Sequence, residues 1–320
     1  MRVVVVGAGI AGLTAAQQLV LAGHHVIVLD KGRSPGGRLA TRRIGAARFD
    51  HGAQFFTVRS DEFAALVRPH IDSGLVFEWC RGFSEFGDGH PRYAVRGGMN
   101  AWAKALAVSL DVRCRTLAFA IRPGTHASAA AWEVALDDGT SLAADALIVT
   151  CPLPQSYSLL VTAEVALPDE LIRADYDKTI ALLVVLDRPP AVAAPGGVND
   201  PTDELSFVAD NQRKGISEAP ALTVHANAEW SEAHWKESPE TAIESLRNAS
   251  SDFIGAAHVV ELQLKKWRFA TPRAMWPEPC WIAAEAAGPL ALAGDAFAGP
   301  RVEGAALSGL AAACAIALLA

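Results

Sequence analysis

The sequence predicts an α/β fold of two interleaved domains, and three observations carry this prediction. A β-branched apolar run, Arg2–Val6, is typical of a strand buried on both faces, and a glycine-rich turn and an apolar helix follow it directly. The middle of the chain has short strand patterns with turn signals, typical of a mixed antiparallel sheet with helices. A second glycine-bearing segment, Leu292–Ala312, ends the chain with an apolar helix. The two ends are therefore expected to form one domain, with the middle inserted between them.

Composition excludes several classes of protein. The chain has 320 residues, of which 51% are hydrophobic and 20% are charged, which is enough for a well-buried core. The formal net charge of −7, without a long basic run, argues against nucleic acid or a membrane surface as the main partner. The five cysteines have no CxxC pair and no nearby His in ligand spacing, so no metal site is expected. Without a recognisable secretory signal, a reducing cytoplasm fits best.

The first glycine-rich segment has the order of a dinucleotide-binding fingerprint. Gly7 permits a tight turn, Gly9 lets the backbone approach a pyrophosphate, and Gly12 lets the following helix lie close to the sheet. That helix is predicted from about Ile10 to Ala22, and its unsatisfied amides and positive dipole attract a diphosphate. The alternative is a glycine-rich turn in an unrelated parallel sheet.

A second predicted strand, His25–Leu29, brings Asp30 to its tip. There a carboxylate can accept both hydroxyls of an adenosine ribose, and it would repel a 2′-phosphate. The basic loop Lys31–Leu39 follows, in which Arg38 can pair with phosphate through its guanidinium fork. The alternative for this loop is a solvated segment with ordinary positive charges.

The C-terminal segment looks like the second half of one flavin site. Pro289–Ala293 is a predicted buried strand, and Gly294 and Asp295 end it, where Asp295 can accept hydroxyls from a ribityl chain. Val302–Ala305 opens the last helix, which is predicted to run to about Leu319. Its amide end would stabilise negative charge on a reduced flavin ring. A membrane tail anchor is the alternative, but the helix is short for a bilayer and has no basic flank.

The middle of the chain predicts further strands and helices. Asp137–Thr140 has the residue types of a tight β-turn, so it is predicted to join two of these strands as a hairpin. The prolines of Thr150–Pro154 interrupt regular structure, so the chain is expected to pass from one domain to the other there. The predicted strands are Val112–Ile121, Trp132–Leu136, Ala146–Thr150, Ala181–Leu186, Leu222–His225 and Lys265–Pro272, and the predicted helices are Asp61–Val67, Ala101–Ser109 and Pro239–Asp252.

Several motifs, in the same order along nearly the whole chain, resemble the renalase-like branch of the flavin amine oxidase superfamily. The most specific pieces are PGGRLATRR (Pro35–Arg43), FDHGAQFFTVR (Phe49–Arg59), RGGMNAWAKAL (Arg96–Leu106), LTVHANAEWS (Leu222–Ser231) and the C-terminal segment.

This resemblance implies a two-domain glutathione-reductase-like (Rossmann-type) FAD-binding domain with an interleaved mixed-sheet α+β substrate domain. The FAD-binding domain is expected to comprise residues 1–58, 96–150 and 286–320, and the substrate-binding domain residues 59–95 and 151–285. FAD is expected to bind noncovalently. The expected cofactor contacts are Gly7, Ala8, Gly9, Ile10, Ala11, Gly12, Asp30, Lys31, Arg38, Leu39, Gln54, Leu117, Gly294, Asp295, Val302, Glu303, Gly304 and Ala305.

The resemblance also implies an activity: oxidation of 2-dihydro- and 6-dihydro-NAD(P), with hydride transfer to FAD and electrons passed to oxygen to give hydrogen peroxide and NAD(P)+. A dihydropyridine gains aromaticity when it loses hydride, so orientation dominates and no general base is assigned. Gln54, Phe55 and His225 are the residues expected to orient the donor. The alternatives are core packing for Phe55 and a hydrogen-bonded core histidine for His225.

Two other functions remain open. An amine or polyene oxidase could use the same FAD framework, although amine oxidases of the superfamily hold a Lys near the flavin, and the matching strand Thr179–Leu186 is apolar here. Lys178, just before it, reads as a solvated strand-end charge. A noncatalytic binding protein of the same fold is the third hypothesis, and Asp30, Arg38 and the C-terminal segment argue against it. The candidate residues for a substrate phosphate are Arg81, Arg92, Arg213 and Lys214.

Overall fold

A computed structural model describes residues 1–83, 87–124, 130–283 and 286–319 of the chain. The strands, in chain order, are β1 (Arg2–Val6), β2 (His25–Asp30), β3 (Thr41–Ile44), β4 (Ala47–Asp50), β5 (Val76–Cys80), β6 (Arg92–Val95), β7 (Asp111–Cys114), β8 (Ala118–Pro123), β9 (Trp132–Leu136), β10 (Ser141–Ala144), β11 (Ala146–Val149), β12 (Tyr176–Leu186), β13 (Gly197–Asn199), β14 (Leu205–Asp210), β15 (Ala221–Ala226), β16 (Val259–Pro272), β17 (Trp281–Ile282) and β18 (Leu290–Leu292). The helices are α1 (Ile10–Leu21), α2 (Asp61–Asp72), α3 (Met99–Ala107), α4 (Leu153–Leu160), α5 (Asp169–Ile172), α6 (Ala228–Ala233), α7 (Pro239–Ala249), α8 (Ser251–Ile254) and α9 (Val302–Leu318).

The chain forms two compact units that are discontinuous in sequence. Unit 1 comprises Met1–Gly37, Ala103–Asp175 and Pro272–Ala320, and unit 2 comprises Arg38–Trp102 and Tyr176–Thr271. These limits differ from the predicted domain boundaries, which placed residues 38–58 and 96–102 with the first domain and residues 151–175 and 272–285 with the second. The difference has a packing cause, because α4 lies against β8 inside unit 1 and the β3–β4 hairpin lies against β15 inside unit 2.

The main sheet of unit 1 has the strand order β17-β18-β11-β1-β2-β7. Its strands are parallel except for β17, which runs antiparallel to β18. Val3, Val4, Val5 and Val6 of the central strand β1 are all buried, which confirms the predicted strand that is apolar on both faces.

A smaller antiparallel sheet of unit 1, in the order β10-β9-β8, corrects two predictions. The turn at Asp137–Thr140 does form a hairpin, but β9 pairs with β10, while Ala146–Val149 belongs to the parallel sheet. The single strand predicted over Val112–Ile121 is divided into β7 and β8. Arg115, between them, has a φ of 55°, a backbone conformation that interrupts a strand.

Helices α1 and α9 pack closely in unit 1. A Cβ atom at Gly309 would lie 2.1 Å from the Ala11 carbonyl oxygen, so only glycine permits this approach. The Thr14 hydroxyl also donates a hydrogen bond to the Ala306 carbonyl oxygen at 3.1 Å. The length and apolar character of the helices in the described ranges are insufficient for any of them to cross a membrane.

Unit 2 is built on a five-stranded sheet in the order β13-β14-β15-β12-β16. One face of β12 contributes Leu182 and Val184 to a core cluster that includes Leu246 of α7. The opposite face contributes Leu183, which packs with Phe49 of the β3–β4 hairpin. Because both faces of β12 are covered, its sequence is an almost continuous apolar run rather than an alternating one.

Candidate active site

The glycine turn after β1 is partly dictated by the fold itself. Gly7 has a φ of +109°, and its amide donates a hydrogen bond to the Leu29 carbonyl oxygen at 2.8 Å. A Cβ atom at Gly12 would lie 1.9 Å from the Gly7 carbonyl oxygen. Glycine is therefore required at both positions for chain packing alone.

Gly9 differs from these two glycines because no contact with the described residues requires it. Its φ of −75° and ψ of −178° are open to any residue, and a Cβ atom there would meet no atom of the described part of the chain within 4 Å. Gly9 is the N-cap of α1, and no side chain caps the helix. An open surface over uncapped helix amides fits a diphosphate that approaches the backbone closely.

Asp30 ties the glycine turn to the loop that follows β2. Its Oδ2 accepts a hydrogen bond from the Ala8 amide at 2.7 Å, and its Oδ1 accepts one from the Gly32 amide at 2.6 Å. The Gly36 amide donates a hydrogen bond to the Ala8 carbonyl oxygen at 2.8 Å. Each carboxylate oxygen can accept a second hydrogen bond, so ribose recognition by Asp30 stays a prediction. Lys31 is exposed on this loop.

Leu117 and Arg38 have protein partners that the sequence did not reveal. The Leu117 amide donates to Asp137 Oδ1 at 3.4 Å, and its carbonyl oxygen accepts from the Asp137 amide at 3.1 Å. In unit 2, the Arg38 guanidinium donates to the Ala270 carbonyl oxygen at 3.2 Å and lies 5.9 Å from the Tyr176 ring centroid. Cofactor contacts of Leu117 and Arg38, like those of the buried Leu39, stay predictions.

The second glycine turn precedes α9 in unit 1. Gly294 has a φ of +144°, and its amide donates to the Ser308 hydroxyl at 2.9 Å. Asp295 is buried beside it. A Cβ atom at Gly304 would lie 2.5 Å from the Gly299 carbonyl oxygen, so a tight turn fixes the start of the helix. Arg301, the N-cap residue of α9, makes no side-chain cap hydrogen bond to the described first turn, Val302–Ala305. The amides of this turn are thus suited to an electron-rich ligand.

Unit 2 contains a fully buried ion pair between Asp50 and Lys214. Lys214 Nζ lies 2.7 Å from Asp50 Oδ2, and neither side chain is exposed. Asp50 Oδ1 accepts hydrogen bonds from the Thr41 hydroxyl at 2.7 Å and from the Met99 amide at 2.8 Å. Burial lowers the pKa of Lys214, and Asp50 opposes that shift. The prediction that Lys214 is a candidate for a substrate phosphate is therefore wrong, because its charge is enclosed and already partnered.

Gln54 and His225, both predicted as donor-orienting residues, are brought together beside this ion pair. Gln54 Nε2 donates to the Asp50 carbonyl oxygen at 2.6 Å and lies 3.4 Å from His225 Nε2. The amide nitrogen of Gln54 is thus engaged by acceptors. Gln54 Oε1 is buried and has no hydrogen-bond partner among residues 1–83, 87–124, 130–283 and 286–319.

His51 is a member of this cluster that sequence reasoning missed. Its ring stacks on Trp267 with centroids 5.2 Å apart, and Trp267 Nε1 donates to the His51 carbonyl oxygen at 2.6 Å. His51 Nδ1 is buried without a partner in the described part of the chain. The sequence contained one indication of its role, because His51 lies in the segment FDHGAQFF, three residues before Gln54.

Both histidines of the cluster are neutral at pH 7. Burial lowers the pKa of His225 to about 4, with further lowering by His51 and Lys214 and partial compensation by a hydrogen bond to the His51 backbone. Burial likewise lowers the pKa of His51 to about 4, assisted by the positive charges of Lys265 and Arg42. The cluster can therefore offer neutral hydrogen-bond donors and acceptors, but it is not suited to donate a proton.

Phe55 lies in an aromatic cluster of unit 2, in tilted or edge contact with Trp79, Phe83 and Phe207. Phe56 is buried and stacks on Trp102 with centroids 4.8 Å apart. Core packing thus accounts for Phe56, whereas contact of Phe55 with a donor stays a prediction.

The remaining cations proposed for a substrate phosphate have carboxylate partners. Arg81 pairs with Glu78, Arg92 with Asp88 and Arg213 with Asp210. Lys178 lies inside β12 rather than before it, and its side chain is 21% exposed. Its Nζ lies 2.6 Å from Glu232 Oε1, a carboxylate partner that the sequence did not predict.

Comparison with known families decides the class of the protein. A model of an NAD(P)-binding Rossmann-like domain matches residues 5–68, and a model of flavin-containing amine oxidoreductases matches residues 76–317. The chain belongs to the flavin-containing amine oxidoreductase family. Its cofactor is FAD, and the family is one of flavin-dependent oxidoreductases. The open surface over Gly9 and the uncapped helix starts of unit 1 fit that cofactor.

Curated relatives in this superfamily match only a short part of the chain. Hydroxyneurosporene desaturase of Rubrivivax gelatinosus is 48% identical over 79 residues, which are 24% of this chain and 15% of that protein. Phytoene dehydrogenase of Streptomyces griseus is 45% identical over 74 residues, which are 22% of this chain and 15% of that protein. The matched segments thus span about a seventh of the length of these relatives.

Solved structures in the superfamily share the fold over nearly the whole chain. Cyclohexylamine oxidase from Brevibacterium oxydans aligns with a TM-score of 0.72 at 16% identity, covering 99% of this chain and 98% of that one. Putrescine oxidase bound to putrescine aligns with a TM-score of 0.71 at 16% identity, covering 98% of each chain. At this identity the likeness concerns the fold alone.

Proposed function

We propose that the protein is a renalase-like, FAD-dependent oxidase of 2-dihydro- and 6-dihydro-NAD(P). The donor loses a hydride and becomes NAD(P)+, and the hydride, with a proton from solvent, ends on oxygen as hydrogen peroxide. When bound, FAD supplies the redox chemistry by accepting the hydride and reducing oxygen. FAD is proposed to bind noncovalently, on the two glycine turns and helix starts of unit 1.

The observation that carries the proposal is the neutral cluster of Gln54, His51 and His225. A dihydropyridine becomes aromatic on losing hydride, so it needs no base to remove a proton from carbon. The pKa values of His51 and His225, both lowered to about 4, keep these rings uncharged at neutral pH. The cluster is thus suited to orient a donor rather than to activate it.

The hydrogen-bonding capacity of Gln54 matches a nicotinamide ring. A buried oxygen without a partner, such as Gln54 Oε1, costs about 1–3 kcal/mol, and a ligand N–H removes that cost. The carboxamide of a dihydronicotinamide carries such a donor group. We therefore propose that Gln54 Oε1 accepts a hydrogen bond from the carboxamide nitrogen of the donor. His225, in contact with Gln54 Nε2, would hold the Gln54 side chain in that orientation.

The local charges disfavour an amine as the donor. Lys265 and Arg42 act on His51, so two cations lie near the cluster. Lys214 also acts on His225, but it forms an ion pair with Asp50, and this pair has no net charge. A protonated amine would be repelled there, whereas a phosphate-bearing nucleotide would be attracted.

An amine or polyene oxidase is the second candidate, and the family description and the carotenoid-modifying relatives favour it. The cluster of Phe55, Trp79, Phe83 and Phe207 offers the apolar contacts that a polyene needs. A noncatalytic binding protein of the same fold is the third candidate, and the open surface at Gly9 argues against it.

Product analysis under air tests the proposal. Purified protein reconstituted with FAD is incubated with each dihydro-NAD(P) isomer, with a panel of primary amines, or with a polyene. The proposal expects one hydrogen peroxide and one NAD(P)+ for each dihydropyridine consumed, and no aldehyde from the amines. Aldehyde and ammonia formed from an amine, with the dihydropyridines unchanged, would replace it with the second candidate. Protein that does not retain FAD would favour the third.

A further inference from the structure

We propose that Arg42 and Lys265 form a phosphate-binding site that recognises the phosphate nearest the nicotinamide of the donor. The inference rests on the proposed function, because it assumes that the donor is a dihydronicotinamide nucleotide. It assigns Arg42 and Lys265, which sequence reasoning did not single out, as determinants of nucleotide specificity.

One face of β16 brings these cations next to the neutral cluster. Residues at alternate positions of a strand share a face, so Gln263, Lys265 and Trp267 lie on the same side of β16. The indole of Trp267 stacks on His51 and donates to its carbonyl oxygen. At the other end of the row, Gln263 Oε1 accepts a hydrogen bond from Arg42 Nε at 3.1 Å. Lys265 is placed between them.

The spacing of this row suits a nucleotide. Two residues along a strand advance about 6.6 Å, which is the scale of the ribose that separates a nicotinamide ring from its first phosphate. A ring held beside Gln54 and His51 would thus present its phosphate near Lys265 and Arg42. Both cations act electrostatically on His51 and help to lower its pKa.

The Arg42 guanidinium is held in place by its hydrogen bond to Gln263, but no carboxylate of the described residues neutralises its charge. Within the described ranges of the chain, no carboxylate lies within ion-pairing distance of Arg42, whereas Arg81, Arg92 and Arg213 each have such a partner. The nearest acid along the row, Glu261, accepts a hydrogen bond from Gln263 Nε2 at 3.0 Å instead. A guanidinium fixed through Nε retains its terminal nitrogens for a phosphate.

Donors that differ only in phosphate content test the inference. The FAD-loaded protein is reduced anaerobically with dihydronicotinamide riboside, mononucleotide and dinucleotide, all as the 2-dihydro or 6-dihydro isomers. In R42Q/K265Q, the concentration for half-maximal reduction should rise on the order of tenfold or more for the mononucleotide and the dinucleotide. It should stay unchanged for the riboside, which has no phosphate. An equal loss for all three donors, or no loss for the phosphate-bearing ones, would overturn the proposal.

Arg43 and Lys266 offer a matched control. Each is the next residue on the same strand, is exposed, and points to the opposite face. R43Q/K266Q removes the same net charge, so it should leave the discrimination among the three donors as in the unaltered protein. Loss of discrimination in this control as well would show a long-range charge effect and contradict a built site.

Calorimetry separates this inference from the proposed function. Oxidised nicotinamide mononucleotide and nicotinamide riboside are titrated into the FAD-loaded protein, and no turnover is needed. The inference expects the mononucleotide to bind more tightly, with an advantage that R42Q/K265Q and high salt both remove. Equal affinity for the two ligands overturns the phosphate site. Tighter mononucleotide binding by a protein that no dihydropyridine reduces would keep the site and refute the proposed function.

Discussion

Replacement of Gly9 by Ser should raise the stability of the apoprotein and weaken FAD binding at the same time. The backbone at Gly9 already has the extended conformation of an N-cap, and a Cβ atom there would meet no atom of the described residues within 4 Å. Ser is a better N-cap than Gly by a few tenths of a kcal/mol, because its hydroxyl accepts an amide hydrogen bond of the first turn.

The cost of the same side chain to FAD binding is larger. A hydroxymethyl group at Gly9 would occupy the surface that the diphosphate approaches, and overpacking costs about 1–3 kcal/mol. At about 1.4 kcal/mol for each factor of ten, the Kd for FAD should rise about 5- to 140-fold. The Gly9→Ser hydroxyl would also engage an amide that the diphosphate needs.

Two measurements check this pair of opposite effects. Thermal unfolding of the apoprotein should occur at an equal or slightly higher temperature in Gly9→Ser, and titration with FAD should give the weaker affinity. Gly12→Ala is the contrasting variant, because its Cβ atom would lie 1.9 Å from the Gly7 carbonyl oxygen and should impair both folding and FAD binding. Undiminished FAD affinity in Gly9→Ser would refute the assignment of the diphosphate to this turn.

Further predictions concern the buried groups. Lys214→Met should destabilise the FAD-loaded protein by about 3–5 kcal/mol in urea unfolding, because Asp50 keeps an uncompensated buried charge, and Asp50→Asn should recover part of that loss. Since the pKa values of His51 and His225 fall from 6.5 to about 4 on folding, the unfolded state binds more protons between these values. Stability should therefore decrease as the pH falls from 6.5 to 4, by about 2 kcal/mol per histidine at pH 5, and His51→Gln and His225→Gln should each flatten that dependence. The rate of flavin reduction by a dihydropyridine should be flat from pH 6 to 8 by stopped flow, whereas a rate that rises with pH would indicate an amine donor. Gly309→Leu should lower the unfolding temperature, because its Cβ atom would lie 2.1 Å from the Ala11 carbonyl oxygen, and an unchanged temperature would contradict the observed α1–α9 packing.

Local signals in the sequence were sufficient for the two ends of the chain. The run Arg2–Val6, the turn at Gly7 and the helix from Ile10 follow from steric and polar preferences within a few residues, and the structure confirms them. The division of the predicted strand Val112–Ile121 was missed because the left-handed backbone of Arg115 has no signature in a non-glycine residue.

Long-range pairings lay outside the reach of sequence reasoning. Asp50 and Lys214 are 164 residues apart, and His51 and Trp267 are 216 residues apart, so no local pattern connects them. Lys214 stands beside Arg213 in a polar stretch and was predicted only as a candidate for a substrate phosphate. Only tertiary folding encloses its charge with Asp50 and leaves Gln54 and His225 as a neutral site.

Anaerobic reduction of the FAD-loaded protein by competing donors tests the central claim most directly. Purified 2-dihydro- and 6-dihydro-NAD(P) are each mixed with the protein under argon, in parallel with primary amines and a polyene, and loss of the yellow flavin absorbance is followed. The proposed function expects one equivalent of a dihydropyridine isomer to bleach the flavin completely and rapidly after mixing, with NAD(P)+ as product. Rapid bleaching by an amine or the polyene, with the flavin unchanged by both isomers, would contradict it.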